Sequence, residues 1–252
     1  MAKAKIGLIG LVDEESKKDF WGTMKRVAET GYQGLEGANP LLQGNVAENV
    51  RRFHDLGLQV ISVGASREQL RDGLDQVIVD AKALQAPYVA CYWGPCESRD
   101  QLLKDADLYN QAGEKITGAG LRLCYHNHEH EFKTTFNGVY GLDILAEHTD
   151  PKNLSFLIDI AWVTFGGEDP VRVLKRFAGR APLIHVKDLW SLEERGRFTA
   201  VGTGVVKTKE AVETAIATGV DWVVIEQDKR RNLTAYETIT ASYLNLKEQG
   251  LV

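Results

Sequence analysis

The sequence predicts an α/β protein, a single closed (β/α)8 TIM barrel that spans residues 1–252. Short apolar segments alternate with segments of helical periodicity, and the alternation occurs eight times without a linker or a change in composition. Strands that alternate with helices pair in parallel through right-handed crossovers. Eight such units in this length favour closure of the sheet into a barrel. An open doubly wound sheet is the alternative, but no predicted strand is followed by a G-x-G-x-x-G sequence.

The predicted strands are short apolar segments. In chain order they cover residues 5–9, 32–36, 58–63, 87–92, 121–126, 154–159, 182–186 and 222–226. The predicted helices carry apolar residues at helical spacing. They cover residues 16–30, 46–56, 67–84, 100–117, 142–148, 169–177, 208–218 and 234–249. Gly31 and Gly57 follow the first two helices, where a C-cap glycine is expected.

Composition excludes several classes of protein. The formal net charge is −5 and the basic residues are scattered, so a nucleic-acid partner is not expected. Cys91, Cys96 and Cys124 cannot all pair and lack the spacing of a zinc knuckle, which favours reduced thiols in the cytoplasm. The first residues contain no apolar segment long enough for a signal peptide or a membrane span. We therefore expect a cytoplasmic protein without a membrane partner.

Ionisable residues end three successive predicted strands. Asp159 follows Phe-Leu-Ile, His185 follows Pro-Leu-Ile, and Glu226 follows Val-Val-Ile. Active sites of (β/α)8 barrels lie at the carboxyl ends of the strands, so these side chains should meet. Each residue alone can be explained by a hydrogen-bond partner at the barrel rim. Together, two carboxylates and an imidazole predict a divalent cation, with Mn²⁺ favoured and Mg²⁺, Co²⁺ or Zn²⁺ also compatible.

The fifth predicted strand leads into the sequence Tyr125-His-Asn-His-Glu-His-Glu-Phe132, which should supply the fourth ligand. Glu131 offers a carboxylate, whereas His126 or His128 offers an imidazole at the strand end. A carboxylate suits the harder ions better, so Glu131 is preferred. Glu129 and His130 are expected to be loop residues that face solvent.

Lys187 stands two positions beyond His185, so strand alternation directs both side chains toward one side. Its ammonium group can hold a substrate oxygen or stabilise an enediolate; the alternative is a salt bridge to Asp188 or Glu226.

Three further features are candidates for contact with substrate. Glu36 ends the second strand at the same barrel mouth. Trp162 can form an apolar wall against a sugar ring, although packing in the core is the alternative. The segment Val201-Gly-Thr-Gly-Val205 allows the backbone to approach a ligand closely.

Five segments, in the expected order along the whole chain, resemble the sugar phosphate isomerase/epimerase family, the xylose isomerase-like TIM barrels. These segments are Tyr125-His-Asn-His with Glu131-Phe132, Ile158-Asp-Ile-Ala-Trp162, His185-Val-Lys-Asp188, Val201-Gly-Thr-Gly204 and Ile225-Glu-Gln-Asp228. The resemblance implies one divalent metal held from strands five to eight, with Asp159, His185 and Glu226 at ligand positions. Many relatives carry a glutamate where this chain has His126, so either Glu131 has taken over or His126 coordinates directly.

The resemblance also implies an activity on a small carbohydrate. We expect a metal-dependent sugar isomerase or epimerase that removes a proton next to a carbonyl, through a metal-stabilised enediolate. Glu226 or a strand-five residue, with Glu131 among the candidates, would take the proton. His126, His128 and Lys187 would stabilise or reprotonate the enediolate. A dehydratase or lyase on a keto-sugar or inosose is the alternative.

Two other classes are less favoured. A zinc endonuclease of the related barrel type would need histidines where strands two and three end, and this chain has Glu36 and Val63-Gly-Ala there. A non-catalytic sugar-binding barrel would be expected to have lost a metal ligand. Relatives often form dimers or tetramers, so a homo-oligomer is possible.

Overall fold

The computed structural model describes residues 4–252, so the first three residues of the predicted domain lie outside it. The strands in the described residues are β1 (Lys5–Leu8), β2 (Gly34–Leu35), β3 (Gln59–Val60), β4 (Ser62–Gly64), β5 (Tyr88–Cys91), β6 (Arg122–His126), β7 (Thr135–Phe136), β8 (Val139–Tyr140), β9 (Ser155–Asp159), β10 (Leu183–Val186), β11 (Asp188–Leu189), β12 (Phe198–Thr199) and β13 (Trp222–Ile225). Nine of them form one parallel sheet in the order β3-β2-β1-β13-β10-β9-β6-β5-β4. The pairs β7–β8 and β11–β12 are antiparallel hairpins outside the sheet.

The sheet closes through the third predicted strand, which is divided at Ile61 into β3 and β4. The Ile61 amide donates to the carbonyl of Leu35 (2.9 Å), so this segment remains hydrogen-bonded to β2. On its other side, β4 pairs in parallel with β5. One segment therefore joins both ends of the sheet, and the predicted (β/α)8 barrel is confirmed.

The helices surround the barrel and follow the predicted order. They are α1 (Asp13–Lys18), α2 (Phe20–Thr30), α3 (Val46–Asp55), α4 (Arg67–Asp72), α5 (Leu74–Ala83), α6 (Arg99–Gly118), α7 (His130–Lys133), α8 (Gly141–Glu147), α9 (Ile160–Phe165), α10 (Pro170–Arg176), α11 (Thr208–Ala217) and α12 (Ala235–Glu248), with a 3₁₀ helix at Asn39–Leu42. None of the helices in residues 4–252 combines the length and hydrophobicity needed to cross a membrane.

Three departures from the predicted helices have local causes. The first predicted helix is split at Asp19, whose side chain accepts from the Gly22 amide and caps α2. The third is split at Gly73, consistent with the low helix propensity of glycine. Helix α9 was not predicted, and it begins because the Asp159 side chain caps its first turn.

Large side chains fill the barrel interior below the mouth. Tyr88, Leu157, Leu183 and Trp222 are among the buried residues that pack there. Gly34 makes room for Trp222, because a Cβ atom at position 34 would lie 2.7 Å from the indole ring. The interior is thus a solid support, and the polar groups at the strand ends lie above it.

Candidate metal centre and active site

Four neighbouring strands deliver the central side chains. His126 and Asp159 are the last residues of β6 and β9, His185 lies in β10, and Glu226 directly follows β13. These strands are consecutive in the sheet, so their carboxyl ends lie side by side. One donor atom from each residue falls within 4.8 Å of the others, a grouping that can hold a metal ion.

The donor atoms are chemically suited to a divalent cation. Nε2 of His126, Oδ2 of Asp159, Nδ1 of His185 and Oε2 of Glu226 are buried, and none of them forms a hydrogen bond of good geometry within residues 4–252. Nδ1 of His185 lies 2.6 Å from Oε2 of Glu226, yet the pair lacks hydrogen-bond geometry. The two carboxylate oxygens lie beside the Lys187 ammonium group, at 3.1 and 2.9 Å, and otherwise the four atoms face one another. Buried polar atoms are normally hydrogen-bonded, so this grouping fits a bound cation.

The two oxygens of Asp159 have different partners. Oδ1 accepts from the amides of Ala161 and Trp162 (2.9 Å each) at the start of α9. Oδ2 faces the cluster, 3.4 Å from Nε2 of His126 and 3.1 Å from Nζ of Lys187. The helix cap thereby holds the carboxylate with one oxygen directed at the candidate metal position.

Glu36 lies behind His185, and its placement differs from the expectation of substrate contact. Its Oε1 is 3.2 Å from Nε2 of His185, and its Oε2 accepts from the hydroxyls of Ser62 (2.9 Å) and Tyr92 (2.5 Å). Only 3% of Glu36 is exposed. Because both oxygens are engaged inside the barrel, the residue orients an imidazole instead of facing the cleft.

Lys187 is fully buried among carboxylates. Its Nζ lies 3.1 Å from Asp159, 2.9 Å from Glu226 and 3.0 Å from Asp228. Burial alone would lower the pKa of Lys187, but these carboxylates outweigh it and raise the pKa above its ordinary value. Of the two salt bridges considered from sequence, the one to Glu226 is present. Lys187 and His185 both contact Glu226, as strand alternation predicts.

The pKa of Glu226 and the pKa of His185 shift in opposite directions. Burial raises the pKa of Glu226, but Lys187 and His185 outweigh it and hold that pKa well below its ordinary value. Burial lowers the pKa of His185, but Glu226 and Glu36 raise it to about 10. In the metal-free protein, the cluster is therefore a set of carboxylates neutralised by two cations, and a bound metal would replace the proton on His185.

The structure separates Glu131 from this group and brings His126 into it. Glu131 is fully buried in α7, where it accepts from the Tyr125 hydroxyl (2.6 Å) and the His128 amide (2.9 Å). The helical turn that starts at His130 carries Glu131 away from the strand end. The expectation that Glu131 faces the metal position is corrected accordingly. It does form a second grouping with His128 and His130, but both its oxygens already accept hydrogen bonds.

The other strand-five residues also find partners. Glu129, expected to face solvent, is 8% exposed and forms an ion pair with Arg195. His130 is half-buried, with Nε2 2.9 Å from the carbonyl oxygen of Gly94. Burial, together with the nearby His126 and Lys187, lowers the pKa of His128 to about 3, which keeps this imidazole neutral.

A cavity of about 260 Å³ opens beside the cluster, with Trp162 and His128 in its wall. Trp162 is 3% exposed, and its indole Nε1 has no hydrogen-bond partner among the described residues. The Arg195 guanidinium lies 4.6 Å from the indole ring, and Phe198 meets the same ring edge-on at 5.5 Å. Trp162 therefore packs as a core residue does and also offers a donor to the cavity.

The glycine-containing segment 201–205 does not present its amides to the cavity. The amides of Gly202 and Gly204 donate to Oδ2 of Asp188 at 3.0 and 2.8 Å, and Val206 donates to Oδ1. The segment therefore folds around a carboxylate of the same chain. This observation corrects the expectation of a backbone contact with ligand and explains why Asp188 does not pair with Lys187.

Two residues that support the site, Tyr92 and Arg195, were not predicted from the sequence. Tyr92 ends the fourth predicted strand and was visible as a polar residue there, but its bond to Glu36 requires three-dimensional contact. Arg195 lies in a long loop and reaches Glu129, sixty-six positions earlier in the chain. No local pattern identified it.

Comparison with known proteins agrees with the barrel fold. A family model described as "Xylose isomerase-like TIM barrel" matches residues 24–245. The inosose dehydratase of Geobacillus thermodenitrificans is 26% identical over 193 residues, which are 70% of this chain and 60% of that protein. The chain thus spans 60% of the length of this curated relative.

Solved structures share the fold. A sugar phosphate isomerase/epimerase from Parabacteroides distasonis superposes with a TM-score of 0.83 at 22% identity, covering 98% of this chain and 94% of that one. The IolI protein, solved with a bound zinc atom, superposes with a TM-score of 0.76 at 15% identity, covering 97% of each chain. With the match to the family model extending over most of its length, this chain belongs to the xylose isomerase-like TIM barrel family.

Proposed function

We propose that this protein is a divalent-metal-dependent dehydratase or lyase that acts on a keto-sugar or an inosose. It would remove a proton next to a carbonyl and expel the hydroxyl group on the following carbon. The observation that carries this proposal is the donor set, in which His126 takes the place expected for a glutamate. Glu226 is then the one glutamate in the grouping.

This donor set bears on the choice between elimination and isomerisation. The family resemblance implies that isomerases and epimerases use a pair of metal-bound glutamates as acid and base. Here Glu131 is held by Tyr125 and the His128 amide, away from the cluster. An elimination needs one base and one acid, which this site retains. The name of the inosose dehydratase relative supports the same reaction.

Each residue of the site has its own role in the proposed reaction. A divalent ion, when bound by His126, Asp159, His185 and Glu226, would polarise a substrate carbonyl and make the neighbouring C–H more acidic. The carboxylate of Glu226 accepts that proton. The Lys187 ammonium donates a proton to the departing hydroxyl group as the C–O bond breaks, so water leaves.

Glu226 and Lys187 can return to their starting protonation states by exchanging one proton. After water leaves, Glu226 is protonated and Lys187 is neutral. Their contact of 2.9 Å lets the proton return from the carboxyl to the amine. His128, which is neutral, and the indole N–H of Trp162 would hydrogen-bond the ring in the adjoining cavity.

We propose Zn²⁺, Mn²⁺ or Co²⁺ as the ion in preference to Mg²⁺. Two imidazoles and two carboxylates suit ions of intermediate softness, whereas Mg²⁺ prefers oxygen ligands and water. The zinc atom in the IolI structure supports this class. Isothermal titration of metal-depleted protein should show tight binding of Zn²⁺ and weak binding of Mg²⁺, and the reverse order would contradict the assignment.

The reaction can be tested with inososes and keto-pyranoses in D2O, using protein loaded with Zn²⁺ or Mn²⁺. An unsaturated carbonyl product, seen by ultraviolet absorption and mass, is expected. Glu226→Gln should abolish its formation, with Glu48→Gln as an exposed control. Deuterium uptake or isomer formation without an unsaturated product would replace elimination with isomerisation. A lack of both exchange and product across the panel would refute proton abstraction.

Isomerisation or epimerisation is the second candidate, and the position of Lys187 favours it. Its Nζ lies 2.9 Å from Glu226, so the ammonium group can return a proton to carbon after Glu226 has removed one. The structural similarity to a sugar phosphate isomerase/epimerase is consistent with this reaction.

The remaining classes have less support. The strand ends at Glu36 and Gly64 carry no histidine for a multi-zinc endonuclease site. The complete donor set speaks against a non-catalytic barrel. We propose the cytoplasm as the compartment, since all three cysteines are free and buried. Homo-oligomer formation stays a prediction from the family resemblance.

A further inference from the structure

Four rings form a continuous wall along the barrel mouth. The ring centroids of Trp93 and His130 are 6.3 Å apart, those of His130 and His128 are 5.7 Å apart, and those of His128 and Trp162 are 5.7 Å apart. His128 is also 4.8 Å from His126 of the candidate metal group. The wall therefore passes the metal group and continues beyond it to Trp93.

A second cavity lies at the Trp93 end of this wall. It measures about 430 Å³ and is formed by the loops that follow β4 and β5, with Gly64, Ala65, Ser66, Tyr92 and Trp93 in its lining. Trp93 is 57% exposed, which is unusual for so large an apolar side chain. An exposed indole at the rim of a mainly apolar cavity is typical of a binding surface.

Tyr92 connects this cavity with the candidate metal centre. Its ring lines the cavity, whereas its hydroxyl donates to Glu36, the carboxylate behind His185. The ring centroid lies 6.1 Å from that of His126 and 6.2 Å from that of His185. The lack of a side chain at Gly64 preserves this position, because a Cβ there would lie 2.9 Å from the Tyr92 ring. Tyr92 is thus shared between the lining of the second cavity and the surroundings of the candidate metal group.

The cavity chemistry fits an uncharged sugar ring. One cation and one anion, Arg67 and Glu68, line it, and Arg67 is already paired with Asp105. There is no surplus of positive charge for a phosphate or carboxylate. The C–H groups on one face of a pyranose carry small positive partial charges and pack against the negative face of an aromatic ring. Trp93 supplies an aromatic ring to the lining, and Ser66, whose hydroxyl accepts from the Gln69 amide, adds a polar group.

We propose that the substrate carries two sugar rings, a glycoside or disaccharide whose second, uncharged ring binds over Trp93. The reacting ring occupies the cavity beside Trp162 and the metal group. The cavity at Trp93, about 430 Å³, lies toward the lower part of the range for small-molecule sites, and the cavity beside Trp162, about 260 Å³, lies just below that range. Together the two volumes suit a two-ring ligand. This inference rests on the proposed function for the placement of the reacting ring.

Kinetics with matched substrates test the second subsite. A keto-sugar and the glycoside that carries one additional glucose on it are compared with the metal-loaded enzyme. In Trp93→Ala, the ratio of kcat/KM for the glycoside to that for the single ring should fall about tenfold, equivalent to about 1.4 kcal/mol. Trp93→Phe should recover most of the ratio, since it restores an aromatic face.

Trp190→Ala is the matched control. Trp190 is 55% exposed, and it lines neither cavity. This variant should leave the ratio unchanged. An unaltered ratio in Trp93→Ala, or an equal fall in Trp190→Ala, would overturn the proposal.

A binding measurement separates this proposal from the proposed function. Saturation-transfer NMR with cellobiose, maltose and glucose needs no turnover. Saturation on both rings of a disaccharide, lost in Trp93→Ala and kept in Trp190→Ala, would support the subsite even if no keto-sugar reacts. A single-ring keto-sugar that reacts, in a protein that binds neither disaccharide and gains nothing from a glycosidic extension, would refute the subsite and leave the proposed function intact.

Discussion

Nε2 of His185 lies 3.2 Å from Oε1 of Glu36, in a pair that is almost completely removed from solvent. The pairing directs the N–H of the imidazole toward the carboxylate and leaves Nδ1 for the cluster formed with Glu226. A carboxylate behind a metal-binding histidine fixes the tautomer and makes the ring a stronger ligand. Glu36 therefore acts on the candidate metal centre through His185.

Glu36→Gln should weaken metal binding. The amide carries no charge to favour the required tautomer of His185, so affinity is expected to fall about 10- to 100-fold. Titration of metal-depleted protein with Zn²⁺ measures the change, with Glu48→Gln as an exposed control. Wild-type affinity in Glu36→Gln would show that the pair has no role in the metal centre.

His126→Ala and Glu131→Gln should behave oppositely. His126→Ala removes a donor atom from the cluster, so bound Zn²⁺, measured by elemental analysis after dialysis, is expected to decrease. Glu131→Gln should keep its metal but lose about 1–3 kcal/mol of unfolding free energy in urea, because buried hydrogen bonds to Tyr125 and the His128 amide are disturbed. Metal loss in Glu131→Gln alone would restore the ligand first expected from sequence.

Lys187→Met should destabilise the metal-free protein more than the metal-loaded protein. Without the ammonium group, buried Asp159 and Glu226 lose a neutralising partner, at a cost of about 3 kcal/mol. A bound cation supplies part of the missing charge, so the difference from wild type should shrink with Zn²⁺. Urea unfolding with chelator and with Zn²⁺ measures both differences. Equal destabilisation under the two conditions would mean that Lys187 and the metal do not share the same carboxylates.

The Glu129–Arg195 ion pair should add an acid-sensitive contribution to stability. Burial raises the pKa of Glu129, but Arg195 outweighs it and holds the pKa below the ordinary value of 4.5. Because the pKa is lower in the folded state than in the unfolded state, the ion pair stabilises the fold at pH values above the ordinary pKa. This stabilisation is lost as the pH falls through the folded-state pKa. Arg195 is 59% exposed, so solvent limits the contribution to about 1 kcal/mol.

Unfolding in urea at about pH 6 and about pH 3 tests this sign. The stability of wild type should fall more than that of Glu129→Gln over this interval. Glu147→Gln, on α8, should follow wild type. An identical pH response of Glu129→Gln and wild type would show that the ion pair contributes nothing to folding.

The sequence by itself determined the barrel and three of the four residues in the candidate metal group. The hydrophobic periodicity of each segment and the order of the segments along the chain identify the strand–helix units. A residue at the carboxyl end of a barrel strand must lie at the barrel mouth. Asp159, His185 and Glu226 could therefore be placed together from their positions after apolar triplets. The helical extents were also largely predictable, except where Asp19 and Gly73 divide a predicted helix and where α7 and α9 form without a predicted counterpart.

Only the tertiary structure decided the fourth member and the surroundings of the group. His126 and Glu131 are five positions apart, and the helical turn between them, together with the Tyr125 hydroxyl, determines which one faces the cluster. The partners Glu36 and His185 are separated by 149 positions, and Arg195 reaches Glu129 from a distant loop. Strand periodicity specifies on which side of a strand a residue lies. Contacts between loops depend on closure of the whole barrel, which no local pattern encodes.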